Sequence, residues 1–305
     1  MGKQAVLLIA HGSPERVDDI PAFLQNISRG RPMSDAVVQE VQHRYAQIGT
    51  SPLTRLTMGQ ANGVARELGI AAYIGMRNWH PFIPDTLRQM ISDDVGQAVA
   101  ICLAPHNSRT SVGLYKQVLF GAGAPFAIDF VEEWHDHPLL IEAFADRLRR
   151  GWTKVCEQHG SALPVIFTAH SVPQRTIAEG DPYEAQTKET AALVAARVPE
   201  IGAWSFAFQS QGMSGGEWLG PTVEDTIVKL RGDGHTGVFL QPIGFVCDHV
   251  EILYDIDILF KEFAVARGMK LYRAESLNDS PLFVRALANL ARSRFAALNG
   301  VAAPA

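Results

Sequence analysis

The side chains best suited to chemistry stand at the ends of two look-alike strings. Residues 5–14 read AVLLIAHGSP and residues 164–173 read PVIFTAHSVP. Each runs an apolar stretch into Ala-His, a small hydroxyl residue and a proline, so His11 and His170 close equivalent segments in the two halves. Imidazole titrates near neutral pH and serves as a general base or a neutral metal ligand. A third stretch, GFVCDHVEILYDIDILF at 244–260, supplies carboxylates. Read as a helix, it places Asp248, Glu251 and Asp255 at i, i+3 and i+7 on one face, and Ile252, Ile256, Leu259 and Phe260 on another. A solvated helix face has the same appearance. Carboxylates crowded beside a cleft, however, repel one another and favour a divalent cation. Imidazole with carboxylate suits Fe²⁺, Zn²⁺ or Co²⁺ better than Mg²⁺ or Ca²⁺.

Two other motifs are tested by context. GDGHTG at 232–237 has dinucleotide-loop spacing, but the helical EDTIVKLR precedes it and the strand-like VFLQP follows, so it reads as a turn. GMSGG at 212–216 places Ser214 in a G-x-S-x-G frame, with Asp225 or Asp248 and then His249 in the order of a serine hydrolase. The EWLGP that follows is no helix start, which argues against a nucleophile elbow. Cys102, Cys156 and Cys247 are too few and scattered for a disulfide framework, a zinc site or an iron–sulfur cluster.

The elements that must position these residues repeat. Strand-like AVLLIAHGSP, AAYIGMRNW and AVAICLAPHNS in the first half correspond to PVIFTAHSVP, AWSFAFQSQG and GVFLQPIGFV in the second. Helical stretches SDAVVQEVQHRYAQIG and DPYEAQTKETAALVAARV lie between them, the second behind an Asp-Pro start signal. The pattern predicts an α/β fold of two similar Rossmann-like lobes, residues 1–145 and 146–305, joined near HPLLIEAFADRLRRGWTKVCEQHG. In such sheets ligands bind beyond the carboxyl ends of the strands, where both Ala-His pairs fall.

Composition narrows the partners. The 305 residues are 47% apolar and carry a net charge of −5 with 19% charged residues and no basic block, which argues against nucleic acid. No apolar run approaches the roughly 18 residues of a membrane span, and His11 interrupts any signal-peptide core. A soluble, cytoplasmic chain is expected, in which a few arginines meet any anionic ligand.

Taken together, LLIAHGSP, SPLTRLT, YIGMRNWHPFI, LAPHNS, TAHSVP, GDPY, FQSQG, WLGP and GFVCDHVEILYD resemble the ferrochelatases, which insert Fe²⁺ into a porphyrin in haem synthesis, over almost the whole chain. The resemblance implies two chelatase-type lobes with the macrocycle between them. It also implies His170 and Glu251 as the iron-site pair, and Asp255 as part of a path for metal or protons. Leu259 stands where family members often carry one more carboxylate. Iron is then a substrate, with no organic cofactor or cluster, and a transient partner for iron delivery or haem transfer is compatible. For His170 the resemblance leaves two roles open, taking pyrrole protons or receiving iron.

Residues 21–53 resemble the short polar form of soluble bacterial members that use coproporphyrin III; protoporphyrin IX is the alternative substrate. By position, Ser28, Arg29, Arg44, Tyr45, Ser51 and Tyr115 would contact propionates or ring, with Ser28 where the subgroup often has arginine. That subgroup usually opens with Ala-Tyr-Gly-Thr-Pro, so His11 replaces a tyrosine and is a candidate axial contact to iron. Ala-His-Gly-Ser also resembles the smaller cobalt- and sirohydrochlorin-type chelatases. A non-catalytic tetrapyrrole or metal carrier on the same fold is a further reading.

Overall fold

The structure is a computed structural model that describes residues 2–211 and 216–298; Ser214 lies outside them. Among the described residues eight strands form two sheets: β1 (Lys3–Ala10), β2 (Ala71–Met76), β3 (Val95–Cys102) and β4 (Ala127–Val131) in one, and β5 (Val165–His170), β6 (Trp204–Gln209), β7 (Gly237–Pro242) and β8 (Lys270–Arg273) in the other. The sheet orders are β2-β1-β3-β4 and β6-β5-β7-β8, every pairing parallel. The halves therefore share one topology, with the two Ala-His strands in equivalent central positions.

Unbroken apolar strings become central strands because both faces of a parallel sheet are covered. Along β1, Val6, Leu8 and Ala10 enter one core cluster while Ala5, Leu7 and Ile9 enter another, as the two-residue repeat of a strand requires. The first of these clusters also takes Val165, Phe167 and Ala169 of β5, so the two lobes share one of their core clusters. Helix Pro138–His159 packs on β7 and β8, and helix Pro281–Leu298 packs on helix Leu53–Leu68 and β3. The expected division at residue 145 thus falls inside a 22-residue helix, and the last helix crosses back to the first sheet, where Arg294 pairs with Asp129 at 2.6 Å.

Local signals set the element ends. Ser34 caps helix Asp35–Ile48 by accepting from the Val37 N–H, and the Asp181 carboxylate accepts from the Tyr183 N–H at the start of helix Tyr183–Ala196. GDGHTG is the turn between helix Val223–Gly232 and β7.

The acidic helix differs from its expected form. Val250–Leu253 is α-helical and Asp255–Phe260 continues as a π-helix, so the wider turn changes the register after Glu251. Asp248 precedes the first turn and faces away from the other two carboxylates. It accepts from Ser276 Oγ at 2.7 Å and Asn278 Nδ2 at 2.9 Å, and pairs with Arg273 at 3.3 Å. The expected three-carboxylate stripe is therefore two carboxylates plus a structural aspartate. Leu259, expected on the apolar face, is exposed.

Candidate functional site

The carboxyl ends of β1, β2, β3, β5 and β7 open on one cavity of about 710 Å³ between the lobes. Two glycines let the walls approach. Gly12 holds φ +83°, and a Cβ there would sit 2.8 Å from the Trp79 nitrogen; a Cβ on Gly244 would sit 2.8 Å from Ala169 Cα. His11, Arg44, Tyr45, Tyr115, His170, Glu251 and Asp255 all line the cavity.

The two Ala-His endings share one detail and differ in another. His11 Nδ1 lies 3.0 Å from the Gly12 carbonyl, and His170 Nδ1 likewise meets the carbonyl of the next residue, Ser171. A carbonyl only accepts, so in the neutral ring of His170 Nδ1 carries the proton and Nε2 holds the lone pair. In His170 this Nε2 faces Glu251 Oε1 at 3.7 Å. In His11 it meets the Asn78 side-chain amide at 2.9 Å. Turning that amide would bring its oxygen to the Arg77 guanidinium at 3.2 Å and to Nε2 at 2.9 Å, an arrangement in which Nε2 rather than Nδ1 carries the ring proton. An axial contact to iron from His11 would break one of its two bonds. Burial, reinforced by Arg77, lowers the His11 pKa to about 4 and keeps the ring neutral.

Glu251 receives a second imidazole, which sequence reasoning placed only in the serine-hydrolase frame and not at the iron site. His249 Nε2 lies 3.5 Å from Glu251 Oε2, while its Nδ1 bonds the Cys247 carbonyl at 2.9 Å. The available signal was its place two residues before Glu251 at the same strand exit. Burial alone would raise the Glu251 pKa, but the positive charge of His170, His249 and His11, once acid protonates them, together with the His249 hydrogen bond outweighs it and lowers the value to about 2. The Glu251 side chain keeps 35% of its surface open, so cavity solvent screens part of this attraction. For His249, burial works downward and is overcome by Glu251, the Cys247 carbonyl and Asp255, so its pKa lies above the usual value.

Asp255 extends the acidic wall. Burial and then the like charge of Glu251 raise its pKa, against Ser210, Arg44 and His249. Ser210, at φ +56° beyond β6, directs its hydroxyl to Asp255 Oδ2. Arg44 reaches across from the first lobe to Asp255 at 3.7 Å, bonds Glu40 at 2.9 Å and lies 5.3 Å from the Tyr254 ring centre. Tyr45 is fixed through its hydroxyl, 2.7 Å from Ser13 Oγ. Tyr183 donates to the His170 carbonyl at 3.0 Å and holds the end of β5 from below.

The remaining expected contacts lie outside the lining. Ser28 closes helix Ile20–Ile27 and donates to local carbonyls, and Arg29 follows it at φ +54°. Ser51 is buried, its hydroxyl without a partner among the described residues. For the serine hydrolase, the candidate base His249 points at Glu251 and Asp248 is held by Ser276, Asn278 and Arg273.

Among protein families, the one described as Ferrochelatase matches residues 3–295. The chain belongs to the ferrochelatase family. A curated ferrochelatase of Acidobacterium capsulatum is 51% identical, covering 99% of this chain and 98% of its own. A ferrochelatase of Deinococcus radiodurans is 40% identical (93% and 94%), and a coproporphyrin III ferrochelatase of a Geobacillus species is 34% identical (96% and 98%). Among solved structures, SirB from Bacillus subtilis with Fe³⁺ superposes with a TM-score of 0.62 at 13% identity over 98% of both chains, which shows the chelatase fold. This ferrochelatase family member is thus a metal-inserting lyase of haem synthesis, with ferrous iron and a porphyrin as substrates. No helix among its described residues is long and apolar enough to cross a membrane.

Proposed function

We propose that the chain inserts Fe²⁺ into coproporphyrin III in the inter-lobe cavity, with His170 and Glu251 as the catalytic pair. The observation that carries this reading is the free Nε2 of His170 facing an ionised carboxylate at 3.7 Å, while its Nδ1 is tied to the chain.

Insertion exchanges two pyrrole protons for one metal ion, so the site must accept protons while guiding a dication. His170, its Nδ1 tied to the Ser171 carbonyl, takes the two pyrrole protons in turn on Nε2 and releases each to cavity water. Glu251, held anionic with a pKa of about 2, stabilises the resulting imidazolium and attracts Fe²⁺ before entry. Asp255 continues the negative wall from Glu251 toward Arg44 and serves as the path for iron or released protons. Iron is the substrate and leaves in the product, which calls for a weak, open ligand set; no organic cofactor or cluster has a part. Among the described residues the His, Cys, Asp and Glu side chains do not converge in threes on a point that would hold a metal ion.

Coproporphyrin III is favoured over protoporphyrin IX by the 34% identical coproporphyrin III ferrochelatase from Geobacillus and by the polar 21–53 segment. Arg44, Tyr45 and Tyr115, which line the cavity, are the first-lobe residues we assign to the porphyrin. Operation in the cytoplasm, and a transient partner that brings iron or takes haem, complete the reading.

The test is metal insertion by purified protein with coproporphyrin III, protoporphyrin IX and sirohydrochlorin, each with Fe²⁺ and Co²⁺. Fe²⁺ with coproporphyrin III should give the highest kcat/KM. A preference for Co²⁺ and sirohydrochlorin, or ligand binding without turnover, would contradict it.

A further inference from the structure

Two polar side chains lie buried where the second lobe's core is otherwise apolar. Ile166 of β5 and Ala207 of β6 pack with Ile252 and Ile256 of the acidic helix in one core cluster. Two residues further along each strand, and so on the same face, stand Thr168 and Gln209, which are 0% and 1% exposed. A hydroxyl and an amide in such a layer are costly unless they are bonded, and here both are. Thr168 Oγ1 donates to Gln209 Oε1 at 2.7 Å, and Gln209 Nε2 donates to the backbone carbonyl of Glu251 at 3.2 Å.

The same glutamine holds the other member of the pair. Gln209 stands opposite His170 in the parallel pairing of β5 with β6, and its carbonyl accepts from the Ser171 N–H at 2.7 Å. The Ser171 carbonyl is in turn the acceptor of His170 Nδ1. Gln209 therefore reaches His170 through one peptide unit and Glu251 through another. Thr168 adds a third tie, its carbonyl accepting from the Ile243 and Gly244 N–H groups at 2.9 and 3.3 Å, where the chain leaves β7 toward Glu251. Between these ties lies the 3.7 Å from His170 Nε2 to Glu251 Oε1, too long for a hydrogen bond and short enough for the carboxylate to stabilise an imidazolium. That separation keeps Nε2 open to a pyrrole proton. A helix start free to drift would let the carboxylate close on the ring or leave it.

We infer that Gln209, braced by Thr168, is a positioning residue of the insertion reaction and sets the distance between His170 and Glu251. Neither Thr168 nor Gln209 is among the residues that line the cavity, so both act through the pair and not on the porphyrin. This rests on the reading of His170 and Glu251 as the catalytic pair and names what holds them in register.

The experiment measures kcat and KM for Fe²⁺ insertion into coproporphyrin III in Gln209→Met, Thr168→Val and Thr168→Ser, and repeats Gln209→Met in a Glu251→Gln background. Gln209→Met keeps the volume and removes both side-chain bonds; it should lower kcat about tenfold with the porphyrin KM within about twofold. Thr168→Val removes only the hydroxyl and should lower kcat about threefold, whereas Thr168→Ser keeps the donor and the wild-type rate. These two variants carry the test if Gln209→Met does not fold. In the Glu251→Gln background Gln209→Met should cost less than about twofold, because the carboxylate it positions is gone. A tenfold loss that persists in that background, a loss carried by KM, or a Thr168→Val protein as active as Thr168→Ser would overturn the inference while leaving the insertion activity standing. Glu251→Gln at the wild-type rate would overturn the catalytic pair itself.

Discussion

Acid should loosen this protein through His106. The ring is 1% exposed in the cavity wall and its Nε2 lies 2.9 Å from Thr190 Oγ1, which in turn bonds the His135 carbonyl at 2.9 Å. These contacts join the loop after β3 to helix Tyr183–Ala196 of the other lobe. Burial, followed by His135, lowers the His106 pKa from 6.5 to about 3. For a base depressed in the folded state, the unfolded chain takes the proton first. The stability held by the neutral ring is therefore complete above pH 6.5 and is lost as pH falls toward 3. With those two pKa values, linkage gives a loss of roughly 2.5 kcal/mol between pH 7 and 4.5. His106→Gln keeps a donor near Thr190 but cannot titrate. Urea unfolding at pH 7 and 4.5 should show the wild type losing roughly 2.5 kcal/mol more than the variant, whatever other groups contribute to both. Parallel losses in the two proteins would refute the assignment of a neutral, buried His106.

Other substitutions separate architecture from chemistry. Asp248→Ala removes an acceptor from Arg273, Ser276 and Asn278 and should cost about 2 kcal/mol in urea unfolding; the insertion rate of the folded protein should stay within about twofold, a ratio of roughly 0.4 kcal/mol. Gly12→Ala places a Cβ 2.8 Å from the Trp79 nitrogen at a positive φ and should destabilise by about 1–3 kcal/mol, read as a lower urea midpoint. Ser13→Ala leaves the buried Tyr45 hydroxyl without its 2.7 Å partner and should cost about 1–2 kcal/mol by the same measurement.

The duplicated lobes are legible in the sequence because a central parallel strand must be apolar on both faces, and few other elements produce strings such as AVLLIAH and PVIFTAH. The edge strands β4 and β8 do not stand out. They are short, partly exposed and carry Asp129, Lys270 and Arg273, so they lack that unbroken run. His170 and Glu251 are legible because strand ends and helix starts place them at one rim. The fate of Asp248 is hidden, since the π-helical turn and the loop holding Ser276 and Asn278 decide it, and neither is encoded in the spacing of the carboxylates. The difference between His11 and His170 is equally hidden. It depends on Asn78, 67 residues from His11 in the chain, which meets the ring only through the pairing of β1 with β2.

The most direct test of the account is His170→Ala, measured once for coproporphyrin III binding by its absorbance shift and once for Fe²⁺ insertion. Loss of the base should reduce kcat at least about 100-fold, the usual scale of general-base removal, while porphyrin affinity stays within a few fold. Glu251→Gln should do the same. Insertion at the wild-type rate in His170→Ala would contradict the assignment of its free Nε2 as the proton acceptor.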